Sequence, residues 1–376
     1  MLKFKRVFFS LSLFGVSLLT MVATTFAWVG ITSNSLFDEF SLNLRTDTED
    51  RGDYGIQLSL SGIYSDNPNY NTFSDSIDGA SVRRQIMKNS GKYVGTNLDK
   101  YNDNMINALF SQYEMGQCTP KKTTYHQNLF DSDDVQVFEN VADGSLTSSF
   151  MYFDVYATLH VINATANPSA STSNIPLFLR EGILSSNEIG SWKLSNAYTY
   201  PDTPMIIDGT PKLNPFAGRT IKDTVRVNPA SAARVCVQTF EPVDLHSIYR
   251  SDTTGHTIYK YDDDIPYYDS TNDVYSFGGI LPTEHNMAQQ QFKLFRPDIA
   301  VQDVPDWQIN RKDVKYEDKD EIGQIVRLSD GLTVGKKIKF RVYFWFEGWD
   351  ADCFEVIDRR SVNVNLVFSS KGPNDI

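Results

Sequence analysis

Apolar and polar positions alternate most clearly through residues 337–370. Two sets of apolar residues share this spacing: Phe340, Val342, Phe344 and Phe346 in the first half, and Val362, Val364, Leu366 and Phe368 in the second. A period of two places each set on one face of a strand, and aromatic and β-branched residues suit a half-buried pleated surface. The pattern therefore predicts two strands that are neighbours in an antiparallel sheet, each with one buried face.

Similar alternation recurs at residues 40–44, 56–60, 151–161 and 233–239. Residues 81–115 differ, because Leu98, Tyr101, Met105, Leu109 and Tyr113 recur at helical spacing. Residues 242–289 are rich in Asp and Tyr and indicate a long polar loop region. These patterns predict a mainly β protein in which residues 28–376 form a single antiparallel, jelly-roll-like β-sandwich domain, with a helical insertion at about 81–115.

The first 27 residues have the order of a secretory signal peptide. Lys3, Lys5 and Arg6 precede an apolar run to Val22, and small residues follow up to Ala27. Cleavage after Ala27 would make the protein secreted, extracellular or attached to the cell surface. The alternative is a retained N-terminal membrane anchor, since about 20 apolar residues span a bilayer. In both cases the positive flank stays in the cytoplasm and the bulk of the chain lies outside.

Charge and cysteine content narrow the class of protein. The chain has 35 Lys and Arg against 47 Asp and Glu, a net charge of −12. This acidity argues against nucleic-acid binding, which needs basic surfaces for phosphates.

Three cysteines, Cys118, Cys236 and Cys353, do not form a disulfide framework. One bridge is possible, but the sequence does not identify the pair, and buried thiols are the simpler expectation.

Motifs for enzyme chemistry are absent from the sequence: there is no GxSxG, HExxH or Walker motif and no dinucleotide fingerprint. We therefore predict a non-enzymatic protein without an organic cofactor. Calcium is the one candidate ligand, because it prefers carboxylate and carbonyl oxygens. Asp350, Asp352 and Glu355 form a candidate site, and a second acidic cluster occupies residues 262–264. The competing interpretation of both is a solvated acidic loop.

Several segments carry a resemblance to a known family. They are ATTFAW at the end of the signal segment, YFDVYATLHV, IPLFLREG, AARVCVQTF, and FWFEGWDADCF followed by VNVNLVFS. In this order they resemble the TasA/camelysin-type surface and biofilm matrix proteins of Firmicutes. The resemblance covers about a third of the chain. The chain departs from typical fibre subunits in its greater length, its helical insertion and its long Tyr/Asp region.

This resemblance implies a structural protein that assembles or adheres, either with itself or with other surface proteins. In the fibre-forming members an N-terminal strand is donated to the next subunit, and the matching segment here is Trp28 to Leu44. The alternative is a non-catalytic carbohydrate- or ligand-binding module using aromatic residues such as Trp345, Trp349 and Tyr267. Camelysin-like relatives also suggest a hydrolase, although no protease motif is present.

Overall fold

The computed structural model describes the chain in segments separated by gaps. The described residues are 34–36, 40–47, 54–63, 72–120, 135, 137–140, 145–161, 175–186, 189–193, 198–199, 205–207, 210–212, 220–221, 224–239, 256–260, 267–269, 271, 274–276, 316–317, 326–348, 350, 352–353 and 361–370. Strands dominate these residues, so the prediction of a mainly β protein is confirmed.

The largest sheet has ten strands among the described residues. They are β1 (Asn34–Leu36), β3 (Tyr54–Ser59), β5 (Glu114–Pro120), β6 (Phe138–Asn140), β7 (Leu146–Thr147), β8 (Met151–Val161), β16 (Ala233–Thr239), β17 (His256–Lys260), β20 (Tyr316–Glu317) and β22 (Lys337–Glu347). Strand β22 lies at the centre. It pairs with β16 on one side, and with β8 and then β5 on the other.

A second sheet contains five strands in the order β21–β9–β23–β2–β4. Their bounds are β2 (Phe40–Thr46), β4 (Ser76–Ile77), β9 (Ile175–Ser185), β21 (Val326–Leu332) and β23 (Val362–Ser369). Strand β9 is antiparallel to both β21 and β23, but β2 runs parallel to β23. Parallel pairs also join β22 to β5 and β17 to β20 in the large sheet. The sheets are therefore mixed, and the prediction of purely antiparallel pairing is wrong.

Three smaller sheets complete the described strands. The first is formed by β10 (Gly190–Lys193), β15 (Thr224–Val227), β19 (Val274–Ser276) and β18 (Tyr267–Asp269), the second by β11 (Tyr198–Thr199) and β14 (Thr220–Ile221), and the third by β12 (Met205–Ile207) and β13 (Thr210–Lys212). The three strands β17, β18 and β19 fall within residues 242–289, so the prediction of an irregular loop for that region is wrong over these strands.

Two α-helices occupy the predicted helical insertion, between β4 and β5. They are α1 (Gly79–Asn89) and α2 (Asp103–Phe110), with a short 3₁₀ turn at Leu98–Lys100 between them. Asp78 caps α1 and Asn102 caps α2, each by accepting a hydrogen bond from a backbone N–H of the first turn. Asn89 donates a 2.9 Å hydrogen bond to the carbonyl of Tyr152, which fastens α1 to β8.

The two largest sheets share one hydrophobic core. Phe340 of β22 and Phe368 of β23 belong to different sheets, yet their ring centroids lie 5.0 Å apart. The residues predicted to face the core on β22 and β23 are all buried, which confirms those faces. The predicted adjacency of β22 and β23 is wrong, because the two strands meet through their side chains across the core rather than through backbone hydrogen bonds.

The opposite face of β22 is also covered. Arg341, Tyr343 and Trp345 are buried, although their alternation with apolar residues predicts an exposed face. A cluster of aromatic rings accounts for this burial: Phe138 and Phe150 stack at 4.2 Å, and Phe138 meets Trp345 edge-on at 5.3 Å. A strand covered on both faces carries a nearly continuous apolar run.

Candidate functional site

The most unusual chemistry in the described chain lies at the end of β22, where the backbone turns twice. The N–H of Gly348 donates to the carbonyl of Cys118 on β5 at 3.1 Å. The N–H of Asp350 then donates to Glu347, and that of Cys353 to Asp350, each at 3.0 Å. These bonds end the strand and hold Asp350 and Cys353 in two tight turns after it.

Arg234 and Asp350 form a fully buried ion pair at this turn. Nη2 of Arg234 donates to Oδ2 of Asp350 at 2.5 Å, and the two side chains are only 2% and 1% exposed. The other terminal nitrogen of Arg234 donates to the carbonyls of Ser231 and Ala233 at 2.9 and 3.0 Å. Charge pairing and several hydrogen bonds together offset the cost of removing a guanidinium from water.

Local structure positions both partners of this pair. Residues Pro229–Ala232 form a 3₁₀ turn capped by Asn228, and the carbonyl of Ser231 in this turn accepts a hydrogen bond from the Arg234 guanidinium. Asp350 also accepts a 2.8 Å hydrogen bond from the N–H of Asp352 through its second oxygen, Oδ1. Asp350 therefore stabilises its own turn through Oδ1 and accepts the hydrogen bond from Arg234 through Oδ2.

Three more buried groups lie at this end of β22. Nε1 of Trp345 donates to Glu347 at 3.2 Å, and both side chains are buried. Glu347 pairs in register with Cys118, whose sulfur lies 3.7 Å from the carbonyl of Ser149. Burial, and after it the negative charges of Glu347 and Cys353, raises the pKa of the Cys118 thiol well above its ordinary value. As long as Cys118 is reduced, its buried thiol therefore stays protonated and reacts slowly in the folded protein.

A second charged group lies further along the same face of the large sheet. Arg341 donates to both carboxylate oxygens of Asp154, at 2.5 and 3.1 Å, and Lys339 lies 2.9 Å from Asp154. Burial alone would raise the pKa of Asp154, but the hydrogen bonds from Arg341 and Lys339 outweigh it and lower that pKa. The Arg341 guanidinium also sits 5.0 Å above the Tyr152 ring. This arrangement ties β22 to β8 and is structural in character.

The candidate calcium ligands are only partly described. Asp350 and Asp352 are each 1% exposed, and Asp350 is already neutralised by Arg234. Glu355 and the acidic cluster at residues 262–264 lie outside the described residues. Within the described part of the chain, no group of three or more His, Cys, Asp or Glu side chains is arranged to hold a metal. Calcium binding stays a prediction.

Of the three aromatic residues proposed for a carbohydrate site, only Trp345 has a described side chain. Trp345 is 1% exposed and packed under Phe138, so the prediction that it stacks on a sugar is wrong. Trp349 and the side chain of Tyr267 lie outside the described residues.

The sequence analysis did not identify Arg234, the central residue of the buried charged cluster of Arg234, Glu347 and Asp350. The available signal was a single cation in an otherwise apolar alternating segment, AARVCVQT, because such a charge needs a buried partner.

The described features define a mainly β protein of mixed sheets whose charged cluster is sealed inside. No helix in the described segments is long and apolar enough to cross a bilayer. No family model, curated protein or solved structure matches the chain. The resemblance to TasA/camelysin-type proteins therefore stays a prediction.

Proposed function

We propose that this protein is a secreted, cell-surface structural protein of the TasA/camelysin type, whose subunits assemble in the extracellular matrix by exchanging the segment that contains β1 and β2. We also propose that its two main sheets form a β-sandwich of jelly-roll character. The signal-peptide pattern of residues 1–27 supports export, and the contact between Phe340 and Phe368 across the core supports a sandwich.

The observation that carries the proposal is the placement of β2. All seven of its residues, Phe40–Thr46, pair in parallel with β23. On the opposite side, β4 pairs with only Leu44 and Arg45. In its backbone pairing, β2 therefore depends mainly on one long strand from a distant part of the sequence. Such a strand can be replaced by its equivalent from a second copy, because every lost contact is regained in the neighbour.

Strand β1 extends the same segment onto the other sheet. Asn34–Leu36 pair antiparallel with β5 of the large sheet, only a few residues before β2 joins the five-stranded sheet. The segment thus spans both sheets, and its transfer to a neighbour would link two subunits at two places. An unfilled position beside β23 would expose unpaired backbone and the buried position of Leu44, so the position favours occupation by one copy or another.

Burial of the charged groups supports a non-catalytic role without a cofactor. Arg234, Glu347 and Asp350 are each no more than 2% exposed, so a substrate has no access to them in this state. The alternative, a carbohydrate-binding module, is less well supported because Trp345 is buried and cannot contact a sugar in this state. We propose partners among identical subunits or other surface proteins, no nucleic acid, and membrane attachment only through an uncleaved N-terminal segment.

Strand exchange predicts that a peptide copy of residues 34–46 will block assembly. Incubated with mature protein, the peptide should occupy the position beside β23, so polymers become shorter as the peptide concentration rises. Size-exclusion chromatography with light scattering and electron microscopy measure the polymer length. The matched control peptide carries Leu44→Asp, which places a charge at a fully buried position and should leave the polymer length unchanged.

Two results would contradict this function. Mature protein that stays monomeric at every accessible concentration forms no polymer to block. Polymers that shorten equally with both peptides, or with neither, assemble by a contact other than exchange of β2.

Export predicts a defined N-terminus for the mature protein. Because small residues precede position 28, we expect protein collected outside the cell to begin at Trp28. Intact-mass and N-terminal peptide mass spectrometry measure this directly. Protein recovered only from membranes, with residues 1–27 still attached, would show an anchor in place of a cleaved signal.

A further inference from the structure

Two of the three cysteines lie at the same place in the fold. Cys118 on β5 is opposite Glu347, the last residue of β22, and its carbonyl accepts the hydrogen bond from Gly348. Cys353 follows after two tight turns, closed by the hydrogen bonds from Asp350 to Glu347 and from Cys353 to Asp350. Both cysteines are 0% exposed and belong to the same hydrophobic cluster. Neither cysteine is in a disulfide in this structure.

The third cysteine is elsewhere. Cys236 lies on β16, on the other side of β22, and is opposite Tyr343. Tyr343 and Glu347 are four residues apart on one strand, which corresponds to about 13 Å. A disulfide needs Cα atoms within about 7 Å of each other. Cys236 is therefore too far from Cys118 to form a bridge without rearrangement of the central sheet.

We propose that Cys118 and Cys353 form a disulfide when the protein folds in an oxidising compartment, and that Cys236 remains a thiol. The oxidant is a small or protein disulfide: the two cysteines lose two protons and two electrons as the new S–S bond forms, and the oxidant is reduced to two thiols. The bridge closes a very long loop and ties the Asp350 turn to β5, beside the buried ion pair. The proposed disulfide depends on export of the protein but not on exchange of β2 between subunits.

Burial of both sulfurs determines how the proposal is tested. Because a buried thiol reacts slowly, the bridge forms most readily while the chain folds. Mature protein is therefore refolded in a mixture of oxidised and reduced glutathione. It is then denatured, its remaining thiols are alkylated, and its peptides are mapped by mass spectrometry without reduction. We expect one alkylated cysteine, Cys236, and one linked pair of peptides, containing Cys118 and Cys353.

Single substitutions provide matched controls. Cys236→Ser should keep the linked pair and contain no alkylated cysteine, whereas Cys353→Ser should lose the link and show alkylation at both Cys118 and Cys236. Oxidation should raise the thermal midpoint of wild-type protein and of Cys236→Ser, but not that of Cys353→Ser. Alkylation of all three cysteines in wild-type protein, or a link that includes Cys236, overturns the proposal. The wild-type map decides the question even if Cys353→Ser fails to fold.

Discussion

Replacing Asp350 by Asn should lower the free energy of unfolding by about 3–5 kcal/mol, the usual cost of leaving one charge of a buried pair behind. Asn can still accept the hydrogen bond from the N–H of Asp352, so the turn is preserved and the substitution isolates the loss of charge. Arg234, at 2% exposure, then keeps its positive charge without the carboxylate that now faces it. Urea denaturation of the wild-type and variant proteins measures the difference.

Two controls distinguish this effect from a general sensitivity to substitution. Asp99 is ion-paired to Lys88 at 2.6 Å on the surface, where both side chains are largely exposed, so Asp99→Asn should leave stability essentially unchanged. The double variant Arg234→Met, Asp350→Asn removes both charges, keeps an acceptor for the N–H of Asp352, and should recover much of the stability that Asp350→Asn alone loses. A wild-type denaturation curve for Asp350→Asn would mean that the pair is open to water in solution.

Replacing Phe344 by Ala should have a similarly large effect, about 3–5 kcal/mol, because it leaves a cavity in the shared core. Phe344 is 2% exposed, lies edge-on to Phe346 at 5.8 Å between ring centroids, and is opposite Val235 on β16. Backbone neighbours on both sides limit how far the sheet can collapse into the space. Thermal and urea unfolding measure the loss, and Phe346→Ala should behave alike.

Val94→Ala is the matched control for the core substitution, because Val94 is 88% exposed and its truncation should cost little. Normal stability of Phe344→Ala would contradict the shared core of the two main sheets. It would not indicate that β22 presents its other face to the core, since Tyr343 and Trp345 are buried as well.

The sequence allowed the main elements to be predicted wherever the side-chain period was strong. Alternation identified β22, β23, β8 and β16, and helical spacing identified α2, because these patterns depend only on local geometry. Which strands pair is a different question. Alternation in β22 and β23 is equally consistent with one sheet or two, and only contacts across the core, such as Phe340 with Phe368, separate the alternatives.

The sequence revealed only part of the charged cluster, because local patterns do not show which distant segments come together. Asp350 and Asp352 stand out as acidic residues in a turn, which is the pattern of a solvated loop or a calcium site. The charge of Asp350 is compensated in the interior by Arg234, which comes from a strand far earlier in the sequence. Trp345 was expected to be exposed but is buried. An aromatic residue on an apparently outward face suggests a binding surface, but Phe138 from another strand covers Trp345.

The parallel pairing of β2 with β23 has a consequence for the order of folding. Phe40 is paired with Val362, so nearly all of the described chain must be synthesised before β2 meets its partner. Contacts between such distant segments form late and slowly, because a very long loop must close first. Until then β2 is an apolar strand with unpaired backbone, and the nearest open edge can belong to another molecule. If the chain is exported and exchanges β2 as proposed, the local protein concentration outside the cell sets the ratio of chains that close on themselves to chains that join a neighbour.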